Sequence, residues 1–223
     1  MTYGATFPLL RAAAGPHWTD YTEHAFVEGL GDGTLPHASF LRYLVQDYLY
    51  LIQYSRAWAL AVTKADTLED MRDCAQTVQS LIGTEMQLHV QTCAAADISE
   101  AMLFAAEEAL ETIAYTRFVL DAGHSGDFLD LLVALAPCAI GYAEIGARLG
   151  AATHAPIYRD WIATYAGADF QQSCRRIGAM LDRSVRQRLG ADPQSHPRWP
   201  GLCARYTTAT RLESAFWQMG LGG

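Results

Sequence analysis

Apolar residues recur at intervals of three and four along almost the whole chain, and no stretch alternates between apolar and polar residues for long enough to predict a strand. The recurrence predicts about seven or eight helices, near residues 16–29, 37–64, 67–96, 99–123, 126–149, 156–167, 169–189 and 202–219. Glycine and proline mark the breaks, most densely at 29–36 and 190–201. The predicted fold class is therefore all-α, a bundle of long helices.

The chain shows no change in composition, internal repeat or low-complexity stretch that divides it. The proline-rich segment 190–201 lies too close to the C-terminal end to separate two domains, because the single helix after it cannot form a core alone. We therefore expect one domain over residues 1–223. A chain of this size buries roughly 70% of its unfolded surface, which leaves room for a pocket inside the core.

Charge and cysteine content narrow the class of protein further. The chain has 16 Lys and Arg against 24 Asp and Glu, a net charge of −8, so we expect no nucleic-acid or anionic-membrane surface. The opening residues lack the pattern of a signal peptide, and the apolar stretch 128–140 is shorter than the roughly 20 residues of a membrane-spanning helix. Five widely spaced cysteines without a metal-binding pattern indicate reduced thiols, and thus the cytoplasm.

The helix predicted at 37–64 carries an unusual polar face. Tyr43, Asp47, Tyr50 and Tyr54 are spaced by 4, 3 and 4 residues, so they share one side of the helix among many leucines. A carboxylate on such a buried face must be hydrogen-bonded. Two interpretations stay open: the tyrosine hydroxyls satisfy Asp47 structurally, or Asp47 contacts a ligand.

The helix predicted at 126–149 contains the segment LAPCAIGYAEIG, residues 135–146. Pro137 removes a backbone hydrogen bond and kinks the helix beside Cys138, while Tyr142 shares the face of the cysteine. Gly141 and Gly146 leave room for a close neighbour. The pattern predicts a nucleophilic cysteine, against the alternative of a small buried apolar residue.

The last helix carries a second candidate, in the segment RLESAFWQM at 211–219. Glu213 shares a face with Phe216 and Trp217, three and four residues on, and apolar surroundings raise the pKa of a carboxyl group as a general acid requires. The alternative is an ordinary exposed glutamate.

Glu85 and His89, four residues apart, could hold a metal ion. A di-iron bundle needs further Glu-x-x-His pairs on other helices, and the sequence has none. We therefore predict no metal site and interpret the pair as lying on the helix surface or supporting another group of the site.

Three segments together resemble the TenA family, also called thiaminase II. They are FLRYLVQDYLYLIQYSRAWA (40–59), LAPCAIGYAEIG with YRDWIATYAGADF (135–146 and 158–170), and RLESAFWQM (211–219). The resemblance implies a haem-oxygenase-like helical fold without haem and a homotetramer. It also implies an enzyme of the cysteine-bearing branch, which hydrolyses aminopyrimidines to hydroxymethylpyrimidine in thiamin salvage and in some members cleaves thiamin. No metal or organic cofactor is implied, and the partner is a small pyrimidine.

Residue by residue, the resemblance makes Cys138 the nucleophile and Glu213 the acid that faces a ring nitrogen. It also implies that Asp47 contacts the exocyclic amine of the substrate. The other matches are aromatic and contact the ring or line the pocket: Tyr50, Tyr115, Tyr142, Tyr165 and Phe216. The chain departs from the family at Ile140, where many members have tryptophan.

Two other functions compete with this one. The first is a non-catalytic protein that binds a pyrimidine or regulates expression, although the acidic chain lacks a basic recognition helix for DNA. The second is an oxidase of the pyrroloquinoline-quinone synthase kind, which needs a histidine-rich pocket. The histidines of this chain fall mostly at predicted loops and helix ends.

Overall fold

The computed structural model describes residues 2–152 and 156–222, and within these ranges all regular structure is helical, which confirms the all-α prediction. Its α-helices are α1 (Thr6–Ala14), α2 (Pro16–Thr22), α3 (Ala25–Asp32), α4 (His37–Lys64), α5 (Leu68–Ser80), α6 (Met86–Ala94), α7 (Glu100–Ala105), α8 (Leu110–Ser125), α9 (Phe128–Ala151), α10 (Arg159–Ala166), α11 (Ala168–Leu189) and α12 (Trp199–Leu221). A π-helical turn, Leu81–Glu85, joins α5 to α6, and 3₁₀ turns at Pro156–Tyr158 and Pro193–Ser195 precede α10 and α12.

The helix count exceeds the predicted seven or eight, because several predicted helices are divided. The predicted helix at 16–29 is split into α2 and α3, where the His24 imidazole accepts a hydrogen bond from the Phe26 N–H and caps α3. The π-helical turn interrupts the helix predicted at 67–96. The sequence pattern does not predict α1, which ends at Ala14 and is followed by Gly15 with a positive φ of 56°.

The prediction of one continuous helix over 99–123 is also wrong, since α7 and α8 are separate helices. Gln46 of α4 explains the break: its amide N–H donates to the Glu107 carbonyl over 2.9 Å, and its oxygen accepts from the Ala109 N–H over 2.9 Å. A side chain from a distant helix thus satisfies the backbone groups that the break exposes. Such long-range compensation leaves no mark on the local apolar pattern.

Helix α9 lies at the centre of the bundle and packs against α2, α4, α8, α10, α11 and α12. It is 24 residues long, and a window with mean hydropathy 1.7 makes it long and apolar enough to cross a membrane by length and composition. The apolar stretch 128–140 is itself shorter than a membrane span, as expected, but the helix continues past Ile140 through small residues, which lengthens its apolar window. Because 89% of that window is buried inside the protein, α9 has the burial of a core helix.

Two glycines of α9 allow neighbouring helices to approach it closely. A Cβ atom at Gly141 would overlap the Tyr21 ring, and one at Gly146 would overlap the backbone of Tyr165. The predicted room for a close neighbour is thus used by α2 on one side and by α10 on the other. These contacts fix the aromatic side chains around the middle of α9, where Cys138 lies.

Candidate active site

The site is built around the proline of α9. Tyr54 of α4 donates a hydrogen bond to the Leu135 carbonyl over 2.9 Å, and Tyr21 of α2 donates to the Pro137 carbonyl over 3.3 Å. Proline has no N–H, so the helix around it has weaker internal bonding, and these two hydroxyls bind its carbonyl groups from outside. They hold the stretch that carries Cys138 in place.

The Cys138 thiol is half-buried at the centre of this stretch. Burial, and next the nearby Glu213 carboxylate, raise the pKa of the thiol well above its ordinary value, while the Tyr50 hydroxyl acts in the opposite direction. That hydroxyl is itself buried and has no hydrogen bond to any residue in the described ranges. The thiol is therefore protonated at rest, and it needs a base at the moment that it attacks.

Glu213 of α12 is the group best placed to serve the thiol. It is only 2% exposed, and the Tyr115 hydroxyl of α8 donates to its Oε1 over 2.6 Å. Burial raises the pKa of Glu213 to about 8, against the opposing effect of the Tyr115 hydrogen bond. The carboxyl is thus largely neutral near pH 7 and can donate a proton, in agreement with the direction predicted from its apolar neighbours.

Asp47 accepts two hydrogen bonds on the same oxygen. The Tyr43 hydroxyl lies 3.0 Å and the His89 Nε2 2.6 Å from Asp47 Oδ2. His89 Nδ1 lies 2.8 Å from the Glu85 carbonyl, which can only accept, so Nδ1 carries a proton. Burial lowers the pKa of His89, but the hydrogen bond and charge of Asp47 outweigh it, so that the pKa is raised.

The expectation of a surface position for the Glu85–His89 pair is wrong, and the alternative, a pair that supports the site, is the better description. His89 is fully buried and lies in mid-helix. Glu85 ends the π-helical turn, and the Tyr165 hydroxyl donates to its Oε1 over 2.7 Å. Burial and the Asp47 carboxylate raise the pKa of Glu85 to about 7, against the lowering effects of His89 and Tyr165.

A cavity of about 650 Å³ leads from the surface to this centre. Cys138 and Tyr142 of α9 line it together with Glu85 and the α4 residues Tyr54 and Trp58. No histidine lies among the described residues of its wall. Within the same described ranges no group of three or more His, Cys, Asp or Glu side chains is arranged to hold a metal ion.

The remaining predicted residues form the buried layer behind this wall. Tyr50 packs on Tyr115 and Phe216, with ring centroids 5.0 and 5.5 Å apart, and Tyr142 packs on Tyr165 at 5.0 Å. Asp47 and Glu213 lie in the same layer; burial and then Tyr43 raise the pKa of Tyr142 most, and these two carboxyl groups add to the shift. The structure thus gathers the other seven predicted residues around Cys138, although of the eight only Cys138 and Tyr142 reach the cavity surface. The residue that replaces the family tryptophan, Ile140, is fully buried away from the cavity.

Two site residues escape the sequence interpretation: His89 as the partner of Asp47, and Glu85 as part of the cavity wall. Their spacing of four residues is visible in the sequence, but it does not reveal which helix they face. The π-helical turn that directs Glu85 toward α9 has no simple sequence signature.

Comparison with known proteins agrees with this arrangement. An aminopyrimidine aminohydrolase of Halalkalibacterium halodurans is 35% identical over 210 residues, which cover 92% of this chain and 91% of the relative. An aminopyrimidine aminohydrolase of Helicobacter pylori is 30% identical and covers 91% of this chain and 92% of its own. A solved structure described as a TenA family transcription regulator, from Silicibacter sp. TM1040, has 55% identity and a TM-score of 0.97, and covers 99% of this chain and 98% of that one. The model of the TENA/THI-4/PQQC family matches residues 11–223, so the chain belongs to that family.

Proposed function

We propose that the protein is an aminopyrimidine aminohydrolase that converts aminomethylpyrimidine to hydroxymethylpyrimidine in thiamin salvage, with Cys138 as its nucleophile. The observation that carries the proposal is a half-buried thiol on the cavity wall with a buried carboxyl group, Glu213, near it, whose pKa of about 8 keeps it largely neutral. Relatives that bear the name of this activity match the chain over nearly its full length.

The surroundings of Cys138 suit a flat ring with polar edges. Tyr54, Trp58 and Tyr142 place aromatic side chains on the cavity wall, against which a pyrimidine can pack. The two buried carboxyl groups differ in what they offer: Asp47 is paired with His89 and can accept from an exocyclic amine, whereas neutral Glu213 can donate to a ring nitrogen.

The reaction begins when Glu213 protonates a ring nitrogen and so makes the ring electrophilic. Cys138 adds to the ring, and its thiol proton passes to the Glu213 carboxylate, which has just become a base. The covalent adduct then expels the amine from the side arm, water adds to the arm, and the cysteine leaves. Glu213 returns the protons in reverse order, so that the enzyme regains its starting state.

The rival functions are distinguished by particular observations. A relative described as a transcription regulator supports a regulatory role, but a chain of charge −8 has no general attraction for DNA. The family also includes the pyrroloquinoline-quinone branch, but the described cavity wall carries no histidine.

The direct test is to incubate the purified protein with aminomethylpyrimidine and, separately, with thiamin. We expect ammonia from the first, and comparing it with thiazole release from the second shows which substrate is preferred. Calorimetry with hydroxymethylpyrimidine measures binding without turnover. Tight binding with no release of ammonia or thiazole would favour the regulatory alternative.

A further inference from the structure

Glu85 lines the same cavity as Cys138 but takes no part in the steps described above. We propose that Glu85 is a further catalytic residue, the acid and base that acts on the side arm of the substrate. It gives a proton to the departing amine and then takes one from the attacking water. This inference rests on the proposed function and adds a residue to it.

The position of Glu85 separates it from the other buried carboxyl groups. Glu213 is held by Tyr115 behind the thiol, and Asp47 by Tyr43 and His89, and neither lies on the cavity wall. Glu85 lies on that wall, on the route by which a leaving group exits and water enters. A ring bonded to the Cys138 sulfur lies in this cavity, where Glu85 on the same wall can reach its side arm.

Two hydrogen bonds hold Glu85 with one oxygen free. Tyr165 donates to Oε1 over 2.7 Å, and the backbone carbonyl of Glu85 accepts from the His89 ring over 2.8 Å. In the part of the chain that the structure describes, no side chain or backbone group donates to Oε2. That oxygen is available to a substrate. The π-helical turn that ends at Glu85 is a type of distortion that recurs at functional sites.

The surroundings of Glu85 suit a group that must first donate a proton and then accept one. Asp47 of α4, His89 of α6, Cys138 of α9 and Tyr165 of α10 all face or interact with it. Burial and Asp47 raise its pKa to about 7, so its neutral and ionised forms are similarly populated near neutral pH. A general acid that returns as a general base is most effective in that range.

The side-arm chemistry starts from the covalent adduct of Cys138 with the ring. The C–N bond of the arm breaks with its electron pair on nitrogen, which takes the Glu85 proton and leaves as ammonia, while the ring supplies the electrons of a new exocyclic double bond. Water then adds to the methylene carbon and gives one proton to the Glu85 carboxylate. The ring electrons return, the C–S bond breaks, and Glu85 is again protonated.

The test uses three variants of the whole protein. Glu85→Gln keeps an oxygen for Tyr165 and removes the proton, Glu85→Ala opens space, and Glu100→Gln makes the same change at an exposed glutamate of α7. We expect ammonia release from aminomethylpyrimidine to fall about 10²–10³-fold in both Glu85 variants, and affinity for hydroxymethylpyrimidine to stay within about threefold. Added formate should restore part of the rate to Glu85→Ala alone, and Glu100→Gln should match the unmodified protein.

Turnover of Glu85→Gln within about threefold of the unmodified protein would overturn the inference. A Glu85→Ala protein that binds product normally, has lost its rate and regains none with formate would also overturn it, since Glu85 would then have only a structural role. Failure of the proposed function gives a different result: the unmodified protein itself would release no ammonia, and the role of Glu85 would fall with it.

Discussion

Cys138 differs from the other cysteines in the groups that surround it. Cys74, Cys93 and Cys174 are fully buried, and Cys203 is half-buried like Cys138 but lies near the start of α12. Only the Cys138 thiol combines a place on the cavity wall with the Glu213 carboxyl group beside it.

We predict that Cys138→Ser abolishes turnover, on the order of 10³-fold or more, because a serine hydroxyl is a far weaker nucleophile than a thiol. Binding of hydroxymethylpyrimidine should persist, because the aromatic walls remain. Cys203→Ser is the matched control and should keep its rate. Near-normal ammonia release by the Cys138 variant would remove the nucleophile from the mechanism.

The two buried carboxyl groups should respond differently to loss of their charge. Glu213→Gln removes the proton donor, so its maximal rate should fall about 10²–10⁴-fold with affinity less affected. Asp47→Asn removes a charge-assisted contact that exists before reaction begins, so both affinity and rate should fall. Steady-state kinetics on aminomethylpyrimidine separates these patterns, and a Glu213→Gln enzyme that lost only affinity would show the roles to be wrongly assigned.

Sequence predicts those residues whose partners lie on the same helix. Tyr43 and Asp47 are one turn apart and do form a hydrogen bond, and Glu213 does lie beside Phe216 in an apolar environment. The contact between Asp47 and His89 joins α4 to α6 across 42 positions. No periodicity encodes such a pairing, so the second partner of Asp47 emerges only from the packed structure.

At the scale of elements, the approach of α9 and α10 sets the position of Tyr165, which in turn holds Glu85. We predict that Gly146→Ala destabilises the protein by about 1–3 kcal/mol, because the added methyl group overlaps the Tyr165 backbone and forces the helices apart. Gly201→Ala is the control: its Cβ meets nothing within 4 Å, and removing a helical glycine should stabilise by about 0.5–1 kcal/mol. Denaturant unfolding of both variants measures the difference, and equal stability would mean that α10 yields without cost.

Sequence predicts helices better than it predicts where they divide. The long apolar periods of α4, α9 and α11 are recovered almost to their ends. The breaks between α2 and α3 and between α7 and α8 depend on His24 and Gln46, whose side chains bind free backbone groups. Their effect depends on which groups are nearby in space.

At the scale of the whole molecule, a line of apolar side chains is uncovered on α7 and the start of α8. Met102, Phe104 and Leu110 are 56%, 72% and 79% exposed. We propose that this surface is covered in a homotetramer. Sedimentation should show a tetramer at micromolar concentration, and Phe104→Asp should shift it toward smaller species. A stable monomer of the unmodified chain would contradict the proposal.

Buried acids also shape the dependence of stability on pH. The pKa of Glu213 rises from 4.5 to about 8 on folding, so its contribution to stability is complete below pH 4.5 and is lost as pH rises through 8. The Glu213→Gln variant cannot ionise at this position. Its free energy of unfolding, relative to that of the unmodified protein, should therefore rise by on the order of a few kcal/mol between pH 5 and pH 9. Unfolding by denaturant at both pH values tests the sign. A constant difference would mean that Glu213 ionises in the folded protein as freely as in the unfolded chain.

The central position of α9 also determines how structure and activity are lost when the protein is heated. Backbone amides in such a segment exchange with solvent deuterium only when the entire bundle opens, so the peptide around Cys138 should be among the last to exchange. The nucleophile therefore stays aligned for as long as the protein stays folded. We therefore expect the midpoint of heat inactivation to coincide with the loss of helical circular dichroism, with no folded but inactive species preceding it.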